Sequence, residues 1–87
     1  MNAYAVNVGP KAQDWFDECR DQKLQQRLAH AINALALDPR PPKCKKLVGE
    51  KQTWRIRVGD HRILYQIHDG QLTILTIRIG NRRDIYR

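Results

Sequence analysis

The sequence predicts an α+β domain: an N-terminal strand, a two-helix hairpin, then a three-stranded antiparallel meander, with the helices packed on one face of the sheet. Three observations carry this. Leu24, Leu28, Ala31, Ile32, Leu35 and Ala34 fall at spacings of three and four, which is one apolar stripe of a helix. Residues 54–79 instead alternate apolar and polar, the period of a half-buried strand. Gly59-Asp60 and Asp69-Gly70 cut that stretch into three runs, and both dipeptides suit two-residue hairpin turns, of types II′ and I′ respectively.

Taken in order, residues 3–8 (AYAVNV) read as a short strand. Gly9-Pro10 ends it, and proline suits the first turn of a helix, which runs to about Arg20. Asp21 can cap the second helix, and Asp38-Pro39 stops it. Residues 39–53 (PRPPKCKKLVGEKQT) are rich in proline and lysine and read as a loop, with Leu47 and Val48 as its anchor to the body. Strands at 54–58, 61–68 and 71–79 complete the frame. The 87 residues form one domain, 1–87, without repeats.

No stretch is apolar for long enough to span a bilayer, and the N-terminus lacks a charged-then-apolar signal pattern, so no membrane association and a cytoplasmic location are expected. Cys19 and Cys44 fall in no metal-ligand spacing and are expected as free thiols, with no metal or other cofactor. The net charge of +7 is unevenly spread. Residues 1–39 nearly balance, whereas residues 40–87 carry twelve Lys or Arg against Glu50, Asp60, Asp69 and Asp84. Such asymmetry points to a polyanionic partner, nucleic acid first and an acidic protein second.

A turn at Gly59-Asp60 pairs its strands so that Arg57 lies opposite Arg62. By parity, Trp54, Ile56, Val58, Ile63, Tyr65 and Ile67 share the core face, joined across the second hairpin by Leu72, Ile74 and Thr76. The other face collects Arg55, Arg57, Arg62, Leu64 and Gln66 beside Thr73, Leu75 and Ile77. Like charges directly opposite destabilise a sheet, and no carboxylate falls on that face, so an anion, most simply phosphate, is expected to complete it. Parity turns His61 toward the core and leaves His68 on the surface. The C-terminal NRRDIYR adds Arg82, Arg83, Arg87 and the ring of Tyr86, the pairing of cations and aromatic that single-stranded RNA recognition uses.

The order of elements, with LVGE, WRIRVGDHRILYQI, the DG turn and IRIGNRRDIYR, resembles the RelE toxins of the RelE/ParE toxin–antitoxin superfamily over nearly the whole chain. The resemblance implies the toxin of a type II toxin–antitoxin system, an endoribonuclease that cuts mRNA on the ribosome by attack of a ribose 2′-hydroxyl on the adjacent phosphate. It implies catalytic roles for Arg55, Arg57, Arg62, Arg82 and Tyr86, with Lys45, Lys46, Lys51, Arg83 and Arg87 as RNA-binding cations. The implied partners are a cognate acidic antitoxin, the ribosome with its mRNA, and operator DNA through the antitoxin. Arginine stands at 55 and 57 where some relatives have lysine, and Asn81 where many have a basic or imidazole group, so no general base is assigned. A ParE-like inhibitor of DNA gyrase, sharing the fold without cutting RNA, is the alternative. The apolar residues of the basic face, Leu64, Leu75 and Ile77, are where an antitoxin is expected to cover the toxin.

Overall fold

The computed structural model describes residues 3–68 and 70–79. The chain runs β1 (Ala5–Val8), α1 (Pro10–Glu18), α2 (Gln22–Leu37), β2 (Lys45–Lys46), β3 (Thr53–Val58), β4 (His61–His68) and β5 (Gln71–Ile79). The predicted meander is present, and it is the centre of a five-stranded sheet ordered β1-β5-β4-β3-β2. β1 runs parallel to β5, while the other neighbours are antiparallel.

Local chemistry accounts for the helix boundaries. Gly9 donates its N–H to the Ile74 carbonyl at 2.8 Å, and a Cβ at Gly9 would stand 2.8 Å from that same oxygen, so only glycine lets the chain leave β1 this close to β5. Pro10 then opens α1, which stops at Glu18 rather than Arg20. Asp21 caps α2 as expected, its carboxylate accepting from the Leu24 N–H at 3.1 Å. Ala12 of α1 and Leu28, Ile32 and Leu35 of α2 are buried against Ile63, Tyr65, Ile67, Leu72, Ile74 and Ile77 of the sheet. His61 is buried with this core, edge-on to Trp15 at 5.6 Å between ring centroids. Cys19 and Cys44 are free thiols. No described helix is long and apolar enough to cross a membrane.

Three expectations need correction. The proline- and lysine-rich segment is not wholly loop, because Lys45 and Lys46 pair with Arg55 and Trp54 as a short edge strand. Val48 does not anchor that segment: it is 100% exposed. Leu47 does attach, donating its N–H to the Thr53 carbonyl at 2.9 Å. The deeper tie is the buried Tyr65 hydroxyl, which donates to the Pro39 carbonyl at 2.8 Å.

The third correction concerns the register of the second hairpin. From His68↔Gln71 to Tyr65↔Ile74 the pairs follow the predicted sum, but beyond Tyr65 the pairing slips by one, giving Leu64↔Thr76, Ile63↔Ile77, Arg62↔Arg78 and His61↔Ile79. Leu75 is the extra residue of a β-bulge. A bulge reverses parity for everything beyond it. Ile77 therefore faces the core, 5% exposed, Thr76 lies across from Leu64 on the basic face, and Arg78 comes to stand opposite Arg62. Strict alternation would have buried Arg78 against His61 and turned Ile77 outward. Burying a branched apolar side chain in place of a guanidinium is the physical reason for the slip.

Burial pushes the Tyr65 phenol well above its ordinary pKa of 10.0, with the nearby Cys44 thiol adding to the effect. A group whose folded-state pKa is raised contributes stability that is fully present below its unfolded value and is lost as pH rises past it. Chemical denaturation should show stability that falls above about pH 10 in the wild type. In Tyr65→Phe that tyrosine-linked loss should disappear, while stability near neutrality drops by about 1 kcal/mol with the bond to Pro39.

Candidate nucleic-acid interface on the sheet

The uncovered face of the sheet carries the cations. Arg57, Arg62 and Arg78 form one row across β3, β4 and β5, each directly opposite the next. Lys45, Arg55, Leu64 and Thr76 form the row beside it across β2, β3, β4 and β5. The first hairpin keeps the predicted pairing of Arg57 with Arg62. Its turn has Gly59 at φ +59°, where the guanidinium of Arg27 on α2 lies 3.3 Å from the position a Cβ would occupy. The backbone conformation favours glycine there, whereas the Arg27 side chain could shift to admit a Cβ.

The rows line two adjoining hollows. One, of about 120 Å³, is walled by Lys43, Lys45, Arg55, Arg57 and Arg62. The other, of about 390 Å³, is walled by Leu47, Arg55, Arg62, Leu64, Arg78 and Ile79. Arg55 and Arg62 belong to both. Arg57 Nε donates to the Gly59 carbonyl at 3.0 Å, which fixes that guanidinium at the turn. Arg62 Nε is buried and has no hydrogen-bond partner. Among the described residues no carboxylate pairs with these four arginines. A desolvated donor among like charges could be satisfied by an acceptor anion.

Of the residues singled out in the sequence, Lys45, Arg55, Arg57 and Arg62 come together here. Lys46 does not: it sits opposite Trp54 with its ammonium 5.9 Å from the centre of the indole, and Arg40 covers the same ring at 5.3 Å. Lys51 lies on the exposed turn before β3, its carbonyl accepting from the Thr53 hydroxyl at 3.1 Å. Arg82, Arg83, Tyr86 and Arg87 lie outside the described residues. Sequence reasoning missed Lys43 and Arg78. Arg78 was detectable, since strict alternation would have buried a guanidinium. Among the described residues no imidazole joins the face, because His61 belongs to the core, while exposed His68 lies at the far end of β4 with its Nδ1 2.7 Å from the Gln52 side-chain oxygen. No group of three or more metal-ligating side chains occurs among the described residues.

The fold is that of the RelE-like toxins. It matches RelE in the archaeal RelE–RelB complex from Pyrococcus horikoshii with a TM-score of 0.79 at 22% identity, covering 92% of this chain and 98% of that one. It matches the isolated Escherichia coli RelE toxin with a TM-score of 0.79 at 18% identity, covering 97% and 92%. A third match is the toxin–antitoxin complex RelBE2 from Mycobacterium tuberculosis, with a TM-score of 0.76 at 24% identity, covering 91% and 93%. No curated protein is a significant match by sequence. Residues 6–86 match the family described as the ParE toxin of the type II toxin–antitoxin system parDE, and the chain belongs to that family, within the RelE/ParE superfamily.

Replacing Arg62 by a side chain of similar length without charge removes both the like-charge contacts and the unsatisfied donor. Arg62→Met should therefore raise the free energy of unfolding by about 1 kcal/mol, measured by denaturant titration in a chloride buffer free of phosphate and sulfate.

Proposed function

We propose that this type II toxin acts on RNA: the arginine face receives a strand of mRNA on the ribosome and promotes its cleavage. The observation that carries the reading is the row of Arg57, Arg62 and Arg78 beside Arg55, with the buried Arg62 Nε lacking a partner. In the reaction the ribose 2′-hydroxyl gives up its proton as its oxygen bonds to the adjacent phosphorus, the bond from phosphorus to the 5′-oxygen breaks, that oxygen takes up a proton, and a 2′,3′-cyclic phosphate and a 5′-hydroxyl result. Negative charge gathers on the phosphorane oxygens, where fixed guanidinium groups act most strongly. The family resemblance adds Arg82 to this set and gives Tyr86 the role of stacking a base so that the 2′-oxygen lines up.

Guanidinium groups do not act as bases in proteins, so the 2′-hydroxyl proton has to leave to another group, either Lys43 or Lys45 in the wall of the smaller hollow or a group that the ribosome supplies. Dependence on the ribosome fits this, since the ribosome would position the message and could supply an acceptor. A cognate acidic antitoxin would neutralise the toxin by covering the same face, and through it operator DNA would be bound. The apolar part of that contact is Leu64 and Leu75, both half-buried, since Ile77 belongs to the core.

The family match favours a second reading, inhibition of DNA gyrase without RNA cleavage. Mapping message ends in a translation extract and assaying gyrase supercoiling in parallel separates the two. Wild-type protein should generate new 5′-hydroxyl ends in translated message, leave naked RNA nearly intact and leave supercoiling unchanged. Arg62→Ala and Arg82→Ala should each lower cleavage by about 10²- to 10³-fold and abolish growth inhibition while the protein stays folded.

A further inference from the structure

The row of three arginines has two gaps, and each gap opens onto a different hollow. Arg57 and Arg62 flank one, with Lys43 and Lys45 at its rim. Arg62 and Arg78 flank the other, with Leu64 and Ile79 in its wall. Arg55 borders both. Adjacent strands lie about 4.8 Å apart, so the outer two arginines of the row stand two strand spacings apart. We propose that the face holds two consecutive phosphates of one RNA strand, the first between Arg57 and Arg62 and the second between Arg62 and Arg78, with Arg78 the binding residue of the second. The inference rests on the RNA reading above.

Three features converge on Arg78. It reaches this face only through the bulge at Leu75, which sets it opposite Arg62. It is exposed, and no carboxylate among the described residues claims it. Its hollow is the roomier of the two, about 390 Å³ against 120 Å³, and its wall is part apolar, which suits a nucleoside attached to the second phosphate. An acidic protein segment would also satisfy the charge. The regular placing of the three arginines at opposed positions of neighbouring strands favours a repeating phosphodiester backbone instead.

The test is the salt dependence of binding. A short 2′-O-methyl oligouridine, which cannot be cleaved, serves as probe for the full-length protein. Each lost contact to a single-stranded phosphate should lower the slope of log K against log salt by about 0.7. Arg78→Ala and Arg57→Ala should each lower it by that amount and the double variant by about 1.4, while Arg78→Lys keeps the wild-type slope. Should Arg78→Ala fail to fold, Arg78→Gln takes its place. An unchanged slope in the Arg78 variant overturns the proposal, as does a double variant no weaker in slope than either single one. So does the absence of wild-type binding at low salt, or an effect of Arg78 on polyglutamate binding with none on the oligouridine. If message on the ribosome is left uncut but the slopes fall as stated, the two subsites stand and the cleavage reading falls. If message is cut and Arg78 leaves the slope unchanged, the reverse holds.

Discussion

The structure turns on one unfavourable arrangement, three arginines placed in line across neighbouring strands. A directly opposed pair of like charges costs on the order of 0.2–1 kcal/mol, and a buried donor without a partner about 1–3 kcal/mol. Among the described residues no carboxylate on the face offsets these costs, so the core has to. Ile63, Tyr65 and Ile67 alternate inward along β4, and their burial obliges Arg62 to face out. On β5 the requirement that Ile77 be buried introduces the bulge, and the bulge sends Arg78 outward. The charge pattern is thus set by apolar packing on the opposite side of the same strands.

That division of labour suits an electrostatic role. The two helices cover one face and stiffen the sheet, so the guanidinium groups on the other face hang from a backbone that need not reorganise when an anion arrives. The segment before β2 is tied down by the bond from Tyr65 to Pro39, which sets Lys43 and Lys45 at the edge of the smaller hollow. Among the described residues no imidazole belongs to this face. On the proposed reading the protein contributes charge and alignment, and its activity depends on where the substrate is presented. Natural proteins commonly hold such sites at some expense of stability.

Much of this was legible in the sequence, for identifiable reasons. The heptad-like stripe of α2, the Asp21 cap and the Gly59 turn are local signals, and each holds. The pairing of Arg57 with Arg62 follows from turn geometry alone. The β1–β5 pairing and the short β2 strand were not legible, because both depend on partners distant in the chain. Parity arithmetic failed at Leu75, where one inserted residue outweighs a periodic rule, and with it Ile77 was assigned to the wrong face and Arg78 was overlooked. Val48 was misread as an anchor because an apolar residue in a polar loop suggests burial, yet the turn holds it away from the body.

The central claim is that an anion of the phosphate class relieves the strain of the arginine row. It is tested most directly by comparing the unfolding free energies of wild type and Arg62→Met as inorganic phosphate is raised at constant ionic strength. A ligand that binds only the folded state stabilises it by RT ln(1 + [L]/Kd). The account predicts that wild type gains stability with phosphate much faster than the variant, so that the variant's initial advantage shrinks and then reverses. Two parallel curves, with the gap unchanged at every phosphate concentration, would contradict it.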